Sequence, residues 1–386
     1  MMKTAPFVLL LCLTCSLITG CDIIDLLRTP PGVSENKIAS EFGMRSVDCQ
    51  KKEDLDCALE NVNEAIRLDP NYGMAYLTRS AILRDLGQYD SALADVNKAL
   101  VCMPKFHAVY VVRGEILWKM GRKDEALSDL YRAESWDFQN IGIYNVRGPI
   151  YKEMGEFRKA IDDYSHLIEF VPDTRDTLLR KSERCRKLGL DKETAGYLSM
   201  ANETAALLGE AYRERGILYY LVGEFDRSLE DLNQALLINP LDRHTYTARC
   251  DTYVAMGRYD DAMKDLEKAA EIDPHDSAVY DGRGRLYIDL TQWEKAITEF
   301  DKAIDISPED VAAYRSRAFS HLQLGEYEMA VGDYTRAIEL DPTDERNYCD
   351  RGRIFEGMGN IEKATKDYRR SCERGNPAVC GRLRTR

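Results

Sequence analysis

The 386-residue sequence predicts an all-α fold, a stack of short helical hairpins. The first observation behind this is a repeat. Residues 311–344 recur, in register and without insertion, from residues 39, 73, 107, 141, 175, 209, 243, 277 and 345, a period of 34 residues. The second is the placement of small residues. With each repeat numbered from 1, positions 20 and 27 are each alanine in eight repeats of ten, among them Ala330 and Ala337, which lets two helices approach closely. The third is proline at position 32, from Pro70 and Pro104 through Pro172 to Pro342. It ends each second helix, because it has no N–H to donate and clashes inside a helix. One hairpin cannot bury its apolar face alone, but stacked neighbours build a continuous core.

In chain order, residues 1–20 come first. Lys3 precedes an apolar run over residues 5–13, too short to cross a bilayer as a mature helix, and the segment reads as an export signal. Ile18-Thr19-Gly20-Cys21 resembles the lipobox of bacterial lipoproteins. That resemblance implies that Cys21 carries diacylglycerol and becomes the mature N-terminus; the alternatives are a plain secretory signal or an uncleaved anchor. Residues 21–38 hold the lipidated cysteine and a tether, in which Pro30-Pro31-Gly32 prevents a helix. Fully extended, the residues after Cys21 reach at most about 60 Å, so the array stays near the bilayer. The chain carries 53 Lys and Arg against 66 Asp and Glu, net −13, which argues against a nucleic-acid partner.

Ten repeats then fill residues 39–378, and residues 379–386 close the chain. Tyr314, Ala318, Gly325, Tyr327, Ala330, Tyr334, Ala337 and Pro342, at positions 4, 8, 15, 17, 20, 24, 27 and 32, form a pattern that resembles the tetratricopeptide repeat (TPR). The resemblance implies a right-handed superhelical solenoid of about ten helix-turn-helix units with a concave inner surface. Position 7 is arginine in nine repeats and position 23 is Asp or Glu in eight, which predicts Arg–carboxylate pairs within a repeat or between neighbours. A row of arginines for binding anions is the other reading. Repeat five, residues 175–208, departs from the pattern with Lys181, Tyr197 and Thr194 and no proline at position 32. Pro149 falls inside the first helix of repeat four, where a kink is expected. Residues 138–208 are thus either a hinge or widened groove, or repeats that have drifted.

Cys49 and Cys57 lie at positions 11 and 19, on either side of the turn, and antiparallel helices bring them within disulfide reach; buried thiols are the alternative. Cys372 and Cys380 have the same spacing, which resembles the disulfide-stapled Sel1-like repeats and implies a second bridge. Cys102, Cys185, Cys250 and Cys349 read as small buried side chains. The five histidines are scattered over five repeats, and H-E-x-x-H, C-x-x-C, G-x-S-x-G and phosphate-loop motifs do not occur. No catalytic residue, metal or cofactor is therefore expected.

In the TPR family the concave surface is lined by positions 2, 5, 9, 12 and 13 of the first helices. Here those positions give Leu77, Val111 and Trp118, then Ile217, Tyr220, Leu221, Val254, Ile288, Phe319 and Leu322, rimmed by Arg213, Arg285, Arg315 and Arg353. Apolar anchors with arginine at the edge suit a partner peptide, unless these residues pack on the next repeat instead. The basic and Asn side chains of the family's carboxylate-clamp variant are missing from the first repeats, where Ser40, Gly43, Met74 and Thr78 stand. The expected function is a non-catalytic scaffold or assembly factor of the bacterial cell envelope. It would be lipid-anchored, face the periplasm and bind a protein or peptide partner. An adaptor for envelope enzymes such as peptidoglycan hydrolases, or a structural lipoprotein of a secretion or pilus complex, are the alternatives.

Overall fold

The computed structural model describes residues 37–51 and 54–375, and among them every regular element is a helix. The first three repeats are the hairpins α1 (Lys37–Lys51) and α2 (Leu55–Leu68), α3 (Gly73–Asp85) and α4 (Tyr89–Cys102), and α5 (His107–Lys119) and α6 (Lys123–Glu134). Next come α7 (Ile141–Glu153), α8 (Phe157–Lys187), α9 (Asp191–Leu221) and α10 (Phe225–Ile238). Repeats seven to ten supply α11 (Arg243–Ala255), α12 (Tyr259–Ile272), α13 (Ser277–Asp289), α14 (Trp293–Ile306), α15 (Val311–Gln323), α16 (Tyr327–Leu340), α17 (Glu345–Gly357) and α18 (Ile361–Glu373). The chain divides into two compact units, Met1–Asn239 and Pro240–Arg386.

From repeat two on, each hairpin turns at position 15, where the backbone needs positive φ. Gly87 and Gly325, at 74° and 77°, meet that need without strain, whereas repeat eight places Thr291 there at 57°. Within a hairpin, position 8 faces position 20: the Ser46 hydroxyl donates to the Ala58 carbonyl at 2.7 Å. Position 8 also faces position 24. A Cβ on Gly284 would lie 2.6 Å from the buried Phe300 ring, so the large side chain requires the small one.

The Arg–carboxylate ladder runs inside the repeats. Arg79 grips Asp95 through Nε and Nη2 at 2.6 and 2.7 Å, and Arg317 grips Asp333 in the same way at 2.9 and 2.6 Å. Such bidentate, charge-assisted bonds fix the second helix on the first. The remaining Nη1 reaches back to position 25 of the preceding repeat: Arg79 to Asn63 at 2.8 Å, Arg113 to Asn97 at 3.0 Å, Arg351 to Thr335 at 2.9 Å. One side chain thus ties both helices of its own repeat to the repeat before. In repeat five the Lys181 ammonium lies 5.8 Å from the Tyr197 ring centre, a cation–π contact at the same two positions.

The expectation that Pro172 ends a helix is not met. Pro172 sits inside α8, a 31-residue helix that joins the second helix of repeat four to the first helix of repeat five. Likewise α9, also of 31 residues, joins the second helix of repeat five to the first helix of repeat six. The cause is visible at the junctions. From repeat six on, position 34 starts the next helix with a capping carboxylate, as where Asp310 and Asp344 accept from Ala312 N and Arg346 N at 2.9 and 3.0 Å. Residues 103–106 lack such a cap, but there the Tyr110 hydroxyl donates to the Pro104 carbonyl at 3.2 Å. The junction at residues 171–174 has Thr174 at position 34 and Leu178 in place of that tyrosine, and the junction at 205–208 is Ala-Ala-Leu-Leu. Neither holds a stop signal strong enough to break the helix. Pro149 is also internal, and α7 continues through it.

Fusion changes which repeats are neighbours. Arg215 of repeat six bonds Asp231 of its own repeat, but its Nη1 meets Ser165 of repeat four at 3.0 Å, skipping repeat five. Lys152 and Glu214 pair across the same junction at 2.7 Å, and Arg158 and Glu224 at 2.5 Å. Repeat four therefore stacks directly on repeat six. Repeat five is the far end of the α8–α9 hairpin, a spur running about 20 Å beyond the stack at the helical rise. The spur keeps its own seam, with Leu178, Cys185, Tyr197 and Met200 buried in one cluster that also includes Val47 of α1.

Candidate functional site

The second helices supply the alanines at positions 20 and 27, which are fully buried from Ala58 to Ala337. In the first unit little of the first-helix surface is free. Leu77 and Val111 are buried in the core of repeats two to four, so for them packing against neighbours is the observed arrangement. Beside them Arg84 and Glu115 form a buried ion pair, and burial raises the Glu115 pKa against the pull of Arg84. Trp118 is half-buried, donating from its indole N–H to Glu153 Oε2 at 3.1 Å. Arg213, Ile217 and Tyr220 lie half-buried on α9, with Arg213 Nε 3.5 Å from Glu214 Oε1 and the Tyr220 ring 6.0 Å from Phe225.

The second unit differs. Position 9 of three successive first helices, α13, α15 and α17, carries Arg285, Phe319 and Arg353, whose exposures are 61, 39 and 59 %. Position 12 adds the half-buried Val254, Ile288 and Leu322. The Phe319 ring leans edge-on against Trp293 at 6.0 Å. Each arginine is held by an acid: Arg285 Nε to Asp281 Oδ2 at 2.9 Å, Arg315 Nη1 to Asp344 Oδ2 at 3.3 Å, Arg353 Nη1 to Asp350 Oδ1 at 3.2 Å. Burial pushes the carboxyls of Asp281 and Asp350 upward, and the arginines around them, Arg315 included, pull the other way. Asp281 Oδ1 is buried with no hydrogen-bond partner within the protein, an acceptor suited to an incoming N–H. The strip thus offers an aromatic anchor, two oriented guanidinium groups and a carboxylate acceptor. Sequence reasoning named the arginines and Phe319 but missed Asp281, Asp350 and Trp293. The i,i+4 spacing of Asp281 and Arg285 was the available signal.

Cys49 and Cys57 are joined across their hairpin, with Cα atoms 5.7 Å apart. Cys250 and Cys349 are buried, and burial raises the Cys250 thiol to about 12. Cys21 and Cys380 lie outside the described residues, and so does the pairing of Cys380 with Cys372. Among the described residues no cluster of His, Cys, Asp or Glu is placed to hold a metal ion, and no helix is long and apolar enough to cross a membrane.

Stacked 34-residue helical hairpins with small residues at positions 8, 20 and 27 define a repeat scaffold for protein interaction. Residues 82–139, 253–318, 311–344 and 345–374 each match the tetratricopeptide repeat, and the chain is a tetratricopeptide-repeat protein. No curated protein matches it. Among solved structures, a tetratricopeptide repeat protein from Parabacteroides merdae is 21 % identical over 74 % of this chain and 99 % of its own, with a TM-score of 0.47. MamA is 24 % identical over 41 % of this chain and 93 % of its own, with a TM-score of 0.39. YrrB, described as a TPR protein with an unusual peptide-binding site, is 19 % identical over 46 % of this chain and 91 % of its own, also at 0.39.

Proposed function

We propose that this protein is a non-catalytic scaffold of the cell envelope, exported and lipid-anchored through Cys21, that holds a segment of a protein partner on the first-helix face of repeats seven to nine and the adjoining α17. The observation that carries this reading is the exposed Arg285–Phe319–Arg353 strip, which the packing of its own repeats leaves uncovered. An aromatic anchor between paired guanidinium groups gives a peptide an apolar contact and fixed polar partners, and the preformed helices spend little ordering entropy on binding. Crosslinking and affinity purification from membranes tests it. Phe319→Ala combined with Arg285→Ala should lose a partner that the unaltered protein retains, at an unchanged melting temperature. Full retention would overturn the site. Cys21→Ser should release the protein from the membrane fraction and abolish palmitate labelling; continued labelling would overturn the anchor.

A further inference from the structure

The spur has a charge opposite to that of the protein that carries it. Residues 175–208 hold seven Lys and Arg against five Asp and Glu, net +2 within a chain of −13, leaving −15 for the rest, and the basic residues gather in 175–192. One side of the spur is its buried seam. The other is cationic, with Arg180, Arg184, Arg186 and Lys187 exposed around the turn at the tip. Glu183 and the exposed Asp191 are the acids there, and Glu183 pairs with Arg186 and, at 3.7 Å, with Lys187. At the apex Leu188 is 58 % exposed, a large apolar side chain at the point farthest from the stack.

We propose that the tip of the spur, residues 180–190, docks on the anionic lipid headgroups of a membrane surface. A ring of cations behind a protruding leucine matches an interface in which the apolar apex enters the acyl boundary and the cations meet phosphates. Guanidinium groups suit that role, because their planar donors bind phosphate oxygens in pairs. The acidic remainder is repelled by the same surface, so the two charges together orient the molecule tip-first. The spur also shares its buried cluster with Val47 of α1, the first described helix after the tether. This part of the inference rests on the proposed anchor at Cys21, which brings that end of the chain to the bilayer.

The test uses the full chain carrying Cys21→Ser, so that its outcome does not depend on lipidation. Sedimentation with vesicles of phosphatidylcholine and phosphatidylglycerol in equal parts should capture the protein, and vesicles of phosphatidylcholine alone should not. The triple variant Arg180→Glu, Arg184→Glu, Lys187→Glu changes exposed side chains only and should weaken binding by about 100-fold or more, at about fivefold per basic residue. An unchanged melting curve identifies a folded variant. For the unaltered tip, high salt should release the protein, since exposed charges are screened beyond about 10 Å at ordinary ionic strength. Binding equal on both vesicles, binding insensitive to salt, or capture by an acidic polypeptide with none by anionic vesicles would each overturn the proposal. Palmitate labelling of the natural chain reports on the anchor separately.

Discussion

Thr291 carries the one backbone strain among the described residues that its own sequence could relieve. A β-branched residue at φ 57° holds a conformation that glycine adopts at the equivalent turns of repeats two to seven, nine and ten. Thr291→Gly should stabilise the second unit by about 1 kcal/mol, the left-handed cost less the extra entropy of an unfolded glycine. Thermal unfolding checks this, and a lowered melting temperature would show that the threonine side chain contributes more than its backbone costs. Asp281 gives a second test, in pH. Burial holds its folded pKa above its unfolded value of about 3.9, so the folded state binds the proton more tightly. Its contribution to stability is full below the unfolded value and is lost as pH rises through the folded value. The stability advantage of the natural protein over Asp281→Asn should therefore shrink as pH rises above the unfolded value in urea unfolding. An advantage that grows with pH would mean that Arg285 and Arg315 outweigh burial.

The helices α8 and α9 test how much a stop signal matters at the scale of an element. Ala206 is exposed and lies within α9, so Ala206→Pro acts on the backbone alone. It should cost about 3 kcal/mol, whereas proline at a true repeat junction would be tolerated. Pro172→Ala should do the reverse and stabilise α8, because proline there leaves one carbonyl of the helix ladder without its donor. Circular dichroism with urea titration reads both. If Ala206→Pro is neutral, α9 is two helices with a loop between them. The sequence signalled the irregularity of repeat five through the loss of its Arg–Asp pair and of its proline. It did not signal that Pro172, one of seven prolines at position 32, would be the one inside a helix, because the deciding features lie on its neighbours: no cap at Thr174 and no tyrosine at Leu178.

At the scale of the molecule, the contacts of Arg215, Lys152 and Arg158 show that repeats four and six already meet. Removing residues 175–208 joins Thr174 to Gly209 and restores Pro172 to an ordinary junction. The shortened chain should fold as a nine-repeat array with helical content reduced in proportion and cooperative unfolding preserved. Loss of cooperative unfolding would mean that repeat five supports the stack.

By itself the sequence determined the all-α class, the 34-residue period, the turn glycines and the Arg–carboxylate ladder. These are local, written in residues a few turns apart, and each repeat states them again. Only the tertiary structure decided that the ladder closes within repeats, that Leu77 and Val111 are core while Arg285, Phe319 and Arg353 face outward, and that repeat five leaves the stack as a basic spur. Those outcomes depend on which helices become neighbours. Two absent stop signals changed that over distances the period does not encode.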